Sequence, residues 1–162
     1  MNATRLIAAL ALVLLGACSK DAPVEPAADP ASGITLYFSA AAGLNPGATG
    51  TPAPVRVRLY ELKNSAAFAR ADYFALAERA QATLGADLID QDEVLLQPGE
   101  QLRLERPLNP ATRQLGLVVG YREIDQAQWR SVLPVPPRDY QISLDVRAVR
   151  SAVATPQPEP AR

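Results

Sequence analysis

The stretch Val55-Arg56-Val57-Arg58-Leu59-Tyr60-Glu61-Leu62 alternates with period two. Val55, Val57 and Leu59 fall on one face and Arg56, Arg58 and Tyr60 on the other, the pattern of a half-buried β-strand. The paired arginines read as a solvated or carboxylate-paired face rather than a recognition stripe. Similar segments lie on both sides. Upstream, Ile34-Thr35-Leu36-Tyr37-Phe38-Ser39 is β-branched and aromatic-rich and follows Gly33. Downstream, Val94-Leu95-Leu96 runs into Gln97-Pro98-Gly99-Glu100, whose Pro and Gly take the central positions of a type II turn. Leu102 and Leu104 then resume the alternation. Arg113 to Glu123 sets Leu115, Leu117, Val119 and Tyr121 against Gly116, Val118 and Gly120, and two glycines on one face predict a close-packed neighbour. Gln128 to Val135 supplies a further strand, and Tyr140, Ile142, Leu144 and Val146 alternate with Gln141, Ser143, Asp145 and Arg147. About seven to eight short strands with turn signals between them predict an all-β fold, an antiparallel β-sandwich.

One segment has helical spacing. After Lys63, Asn64 or Ser65 caps a short turn carrying Phe68. Asp72 then caps a helix with Leu76, Ala80 and Leu84 on one face, Glu78 and Arg79 on the exposed side, and Gly85 as its stop. Phe68, Tyr73 and Phe74 read as the face that packs on a sheet. The segment Ala40 to Pro54 is different again. It holds Gly43, Asn45, Pro46, Gly47, Gly50, Pro52 and Pro54, with Leu44 as its one sizeable apolar side chain. A loop of this length is uncommon in a compact domain unless it is functional or mobile, and both readings stay open at this point.

The amino terminus carries a covalent instruction. Arg5 precedes an apolar run from Leu6 to Leu15, which is too short for the ~20 residues a membrane-spanning helix needs. The run ends in Leu15-Gly16-Ala17-Cys18, a lipobox. Its logic is alkylation of the Cys18 thiol with a diacylglyceryl group, cleavage after Ala17, and acylation of the new amino terminus. Several acyl chains, each methylene worth about 0.8 kcal/mol, make such an anchor effectively permanent. Ser19 and Lys20 follow the cysteine, and the lack of an Asp there favours the outer membrane in proteobacterial sorting. Residues 1–17 are thus expected to be a signal peptide, and 18–33 a lipidated cysteine with a flexible linker containing Pro23, Pro26 and Pro30. Extended at about 3.1 Å per residue, Ser19 to Ser32 reaches roughly 40 Å. Residues 34–149 form the expected sandwich, and 150–162, with Pro156, Pro158 and Pro160, an expected disordered tail.

Composition removes most chemistry. The 162 residues carry 16 basic and 17 acidic side chains, no histidine, and no cysteine besides Cys18. No basic excess points to nucleic acid. Disulfides, Cys/His zinc sites, Ser-His-Asp triads and Cys-His dyads are all excluded within the chain. Asp87, Asp90, Asp92 and Glu93 form the densest acidic cluster, but the segment lacks the central glycine and twelfth-position glutamate of an EF-hand loop. A solvated strand entrance is the preferred reading. An enzyme would have to work with a serine and Lys63, or with a pair such as Asp90 and Asp92, without histidine, so none is expected. No Gly-rich phosphate loop is present, and no cofactor is expected.

The order of these features resembles the outer-membrane lipoproteins of the bacterial type VI secretion system, the TssJ family. The carriers are the lipobox, Ile34 to Ser39, Leu44-Asn45, Pro54 to Leu62, and Phe68, Asp72, Phe74 and Leu76. Further on come Gln97-Pro98-Gly99, Gly116 to Arg122, and Trp129-Arg130. The resemblance implies a transthyretin-like β-sandwich with a small helical addition, lipid-anchored at Cys18 to the outer membrane and facing the periplasm. It implies no catalysis. It also implies docking to the periplasmic domain of the large inner-membrane component of the secretion complex, through the loop between the first two strands, with Leu44 and Asn45 as the contact residues carried over. The competing reading is a periplasm-facing lipoprotein that binds a small ligand or peptidoglycan, which an apolar pocket between the sheets would favour. If Cys18 is the lipid site, Cys18→Ser abolishes incorporation of radiolabelled palmitate and moves the protein out of the membrane fraction.

Overall fold

In the computed structural model, which describes residues 33–155, the strand foreseen at Val55–Leu62 is β2, and both faces of its second half, Leu59 to Leu62, are covered. The elements run β1 (Gly33–Ala40), β2, α1 (Ala66–Arg70), α2 (Tyr73–Leu84), β3 (Leu88–Leu96), β4 (Gln101–Pro107), β5 (Gln114–Val119), β6 (Arg130–Pro134), β7 (Asp139–Leu144) and β8 (Val149–Val153). Two four-stranded sheets form, in the orders β4-β1-β7-β8 and β3-β2-β5-β6. Their inner faces supply one core, with Leu36, Leu59, Leu117 and Ile142 wholly buried in it. This is the expected β-sandwich with a small helical addition. One pairing departs from the antiparallel expectation: β1 and β7 run parallel, Leu36 opposite Tyr140. Residues 135–138 carry the chain from the β3-β2-β5-β6 sheet to the other, so β7 enters beside β1 pointing the same way.

The helices make a third layer on the outer face of the β3-β2-β5-β6 sheet. Tyr60, Leu62 and Val118 point outward there and are buried by Phe68, Leu76, Ala80 and Leu84. Asp72 caps α2 by accepting from the Ala75 N–H at 2.8 Å, and Gly85 ends it with φ 54°, as the sequence pattern predicts. The paired glycines are explained too. A Cβ at Gly116 would lie 2.6 Å from Phe68 Cζ, and one at Gly120 would lie 2.9 Å from the Tyr73 hydroxyl. The Tyr60 hydroxyl donates to the Leu76 carbonyl at 2.9 Å, tying β2 to α2, and burial pushes its pKa up to about 12. Phe74 corrects the expectation for the aromatic trio. It is 55% exposed and stands edge-on to Tyr73, because only every third or fourth helical position meets the sheet.

The acidic cluster is not a solvated entrance alone, because part of it holds the two sheets together. Glu61 is buried on the inner face of β2 and receives Arg106 Nη2, from β4 in the opposite sheet, at 2.8 Å. Its other oxygen accepts from the Asn109 N–H at 3.0 Å and from the Thr112 hydroxyl at 2.6 Å. Asp90 and Asp92 reach the same guanidinium at 3.0 Å and 3.4 Å, while Glu93 lies 3.6 Å and 3.7 Å from Arg56 and Arg58.

The carboxyl end also differs from expectation. Arg150–Val153, foreseen as disordered tail, belongs to β8, which pairs with β7 from Val149 opposite Leu144 to Val153 opposite Tyr140. Free backbone groups along β7 provide a template that local composition does not reveal. The signal peptide, Cys18, the linker through Ser32 and residues 156–162 lie outside the described residues.

Arg106→Met leaves the Glu61 carboxylate buried without its counter-charge and should cost about 3–5 kcal/mol in denaturant unfolding. Adding Glu61→Gln should restore part of that loss, since a neutral amide needs no cation.

Candidate functional site

β1 runs from Gly33, where the amino-terminal segment joins, to Ala40, where residues 41–54 begin. The two features therefore occupy opposite poles of the sandwich, separated by the roughly 26 Å length of an eight-residue strand. The pole of the loop also carries the β3–β4 turn (97–100), the β5–β6 connection (120–129) and the β7–β8 turn (145–148).

The loop is braced from within. Leu44 is wholly buried in the main core, and Asn45 is buried beside it. Asn45 adopts φ 49°, a left-handed conformation that asparagine tolerates better than most residues. Its side-chain amide donates to the Pro54 carbonyl at 2.8 Å, and its side-chain oxygen accepts from the Arg122 N–H at 2.7 Å. One side chain thus ties the start of the loop to its end and to the β5–β6 connection. The backbone adds further ties, from Asn45 N to the Val146 carbonyl at 3.0 Å, from Ala53 N to the Leu44 carbonyl at 3.0 Å, and from Gly99 N to the Ala41 carbonyl at 3.2 Å. Between these anchors, a turn closed by Gly47 N to the Thr51 carbonyl at 3.2 Å lifts Ala48, Thr49, Gly50 and Thr51 into solvent. Underneath, Tyr121 donates to the Asp145 carbonyl at 3.3 Å. Burial, with the Asp145 charge in addition, raises that phenol well above its ordinary pKa, so it stays a neutral donor.

This geometry corrects the role expected for Leu44 and Asn45. Neither presents surface for a partner in the isolated chain, because one fills the core and the other spends its amide on backbone groups. They shape the loop, and its exposed crest is 48–52. Alternation and turn signals identify a loop but do not say which residues point inward, so Val146, 39% exposed beside Gly43, was not legible either.

The alternatives lack a comparable site. Asp90 and Asp92 are engaged by Arg106, and Lys63 is an exposed residue just past the end of β2. Among the described residues, no group of three or more His, Cys, Asp or Glu is placed to hold a metal ion. A groove of about 530 Å³ crosses the outer face of the β4-β1-β7-β8 sheet past Tyr37, Ser39, Gln101 and Gln141, and one of about 290 Å³ lies beside α2 past Arg58, Gln91 and Glu93. The second has a mainly polar lining, and the first is lined about equally by polar and apolar surface. No helix among the described residues is long and apolar enough to cross a membrane.

Asn45→Ala orphans the Arg122 N–H and Pro54 carbonyl and forces alanine into the left-handed region, a loss of at least about 2 kcal/mol in denaturant unfolding. Asn45→Gly, which tolerates φ 49°, should lose less, and both should speed limited proteolysis between 46 and 52.

Comparison with known proteins converges on one family. A family model described as type VI secretion lipoprotein, VasD, EvfM, TssJ, matches residues 32–150. No curated protein matches the chain. The crystal structure of the type VI secretion lipoprotein TssJ1 from Pseudomonas aeruginosa is 49% identical, with a TM-score of 0.74 over 78% of this chain and 98% of that one. Lip from Serratia marcescens, a membrane-bound component of the type VI secretion system, is 28% identical, with a TM-score of 0.71 over 75% and 97% of the two chains. A chain from a structure described as the TssM C-terminal domain (869–1107) from EAEC is 30% identical, with a TM-score of 0.66 over 75% and 98%. The match across residues 32–150, together with the shared two-sheet architecture, places this chain in the type VI secretion lipoprotein family, TssJ.

Proposed function

We propose that the chain is a structural component of the type VI secretion trans-envelope complex, anchored to the outer membrane through lipids on Cys18 and facing the periplasm. There it docks the periplasmic domain of the large inner-membrane component. It catalyses nothing and needs no cofactor for this role. The observation that carries the reading is the braced loop 41–54, held at the pole opposite the point where the anchored segment joins β1. Lipid at one pole and partner at the other lets one small domain bridge a membrane and a second protein without competition for surface. Similarity to a chain from a structure described as a TssM C-terminal domain supports the same partner. A modest interface suffices, since several copies in one assembly multiply weak single contacts. The rival reading, a lipoprotein built around a small ligand or peptidoglycan, would rest on open grooves on outer surfaces, neither of which is an apolar pocket between the sheets.

Pull-down from detergent-solubilised envelopes, with the lipidated protein as bait, should recover one large inner-membrane protein. Replacing 46–52 by a short glycine-serine turn, which spares the Asn45 bridge, should reduce that recovery at least tenfold. Equal recovery by both baits would remove the loop from the docking role.

A further inference from the structure

Residues 41–54 contain no charged side chain in a chain that is 20% charged. The adjacent turn Gln97-Pro98-Gly99 is also uncharged, and Val146, at the tip of the β7–β8 turn, leaves 39% of its surface in water. Val146 is continuous with the loop: its carbonyl accepts from Asn45 N at 3.0 Å, and a Cβ on Gly43 would rest 3.6 Å from Val146 Cγ2. Charges do surround this neutral crest: the Arg122 guanidinium stands against Gly47 and Asp125 is exposed, while others are already used within the chain. Arg147 Nε binds Glu123 Oε2, Asp145 lies 3.5 Å from Arg150, and Glu100 accepts from the Gln97 N–H at 2.7 Å.

An anionic lipid surface or nucleic acid would need a cluster of unpaired cations here, and against the loop stands the single guanidinium of Arg122. A protein interface has the opposite preference, since charged residues are depleted at its centre and retained at its rim. We infer that Val146 is a second contact element beside the loop, and that the surface received by this pole is an uncharged, apolar hollow on the periplasmic domain of the large inner-membrane component. This inference rests on the docking reading and adds the chemistry of the contact to it. The association is then driven by burial of apolar surface and tolerates salt, unlike a contact steered by charge.

The test measures binding of the full lipidated chain in detergent to the purified periplasmic domain of that component, at 50 and 500 mM NaCl. The parent's affinity should change less than threefold between the two salts. Val146→Asp should weaken binding at least tenfold at both, with a melting temperature near the parent's, and Val146→Ala should weaken it by less. A tenfold loss of parent affinity at high salt overturns the inference without reliance on any variant. So does a Val146→Asp chain that binds as the parent does. Failure of the parent to bind at all overturns the docking reading itself, and unimpaired binding by the variant lacking 46–52 removes the loop from it, which keeps the failures distinct.

Discussion

The constraint behind this structure is that the second half of β2, from Leu59 to Leu62, is buried on both faces. Val55, Val57 and Leu59 look into the space between the sheets, and Tyr60 and Leu62 look the other way into a second apolar cluster. A strand with one solvated face would have left an ordinary two-layer sandwich. Two apolar faces require a third layer, and the α-helices among the described residues, α1 and α2, follow β2 directly. Gly116 and Gly120 on the neighbouring strand and its extension are consequences of the same demand, for the rings of Phe68 and Tyr73 occupy the volume a Cβ would take. The Tyr60 hydroxyl then has no water to bond and takes the Leu76 carbonyl instead.

The far end of β2 poses a harder problem, because its inward position holds Glu61 rather than a hydrophobe. A lone carboxylate there would be prohibitive, and the chain surrounds it with Arg106, the Asn109 N–H and the Thr112 hydroxyl. Since Arg106 comes from the opposite sheet, the solution to one desolvation problem also fixes how the two sheets meet. Asp90 and Asp92 add negative charge on the outer side of the guanidinium. An ionic lock of this kind contributes uniqueness of register more plainly than net stability, because apolar residues of similar volume can do as well energetically.

Much of this was legible before any coordinates. Period-two alternation located β2, β5 and β7, and Asp72 and Gly85 bounded α2, because those signals are local and each has one dominant physical meaning. What stayed hidden was non-local. Glu61 alternates correctly for an inward position, yet nothing nearby in sequence announces its partner on β4. Arg150–Val153 looks like tail because its order derives from the edge of β7. Leu44 and Asn45 were expected as contact residues, but Leu44 turns into the core and the Asn45 amide is held by Pro54 and Arg122, partners that nothing nearby in the sequence announces.

That burial bears on how such a loop would serve the proposed docking. Binding through a floppy segment costs ordering entropy at the moment of contact, whereas a loop fixed in advance has already met that cost during folding. Here the fixing is done by buried positions: Leu44 in the core, Asn45 across the base, and the Val146 carbonyl on the next turn. The crest from 48 to 52 contributes little to that scaffold and is free to change with the partner. A chain built this way separates the residues that hold a surface from those that form it, and allows the surface to vary without loss of the fold.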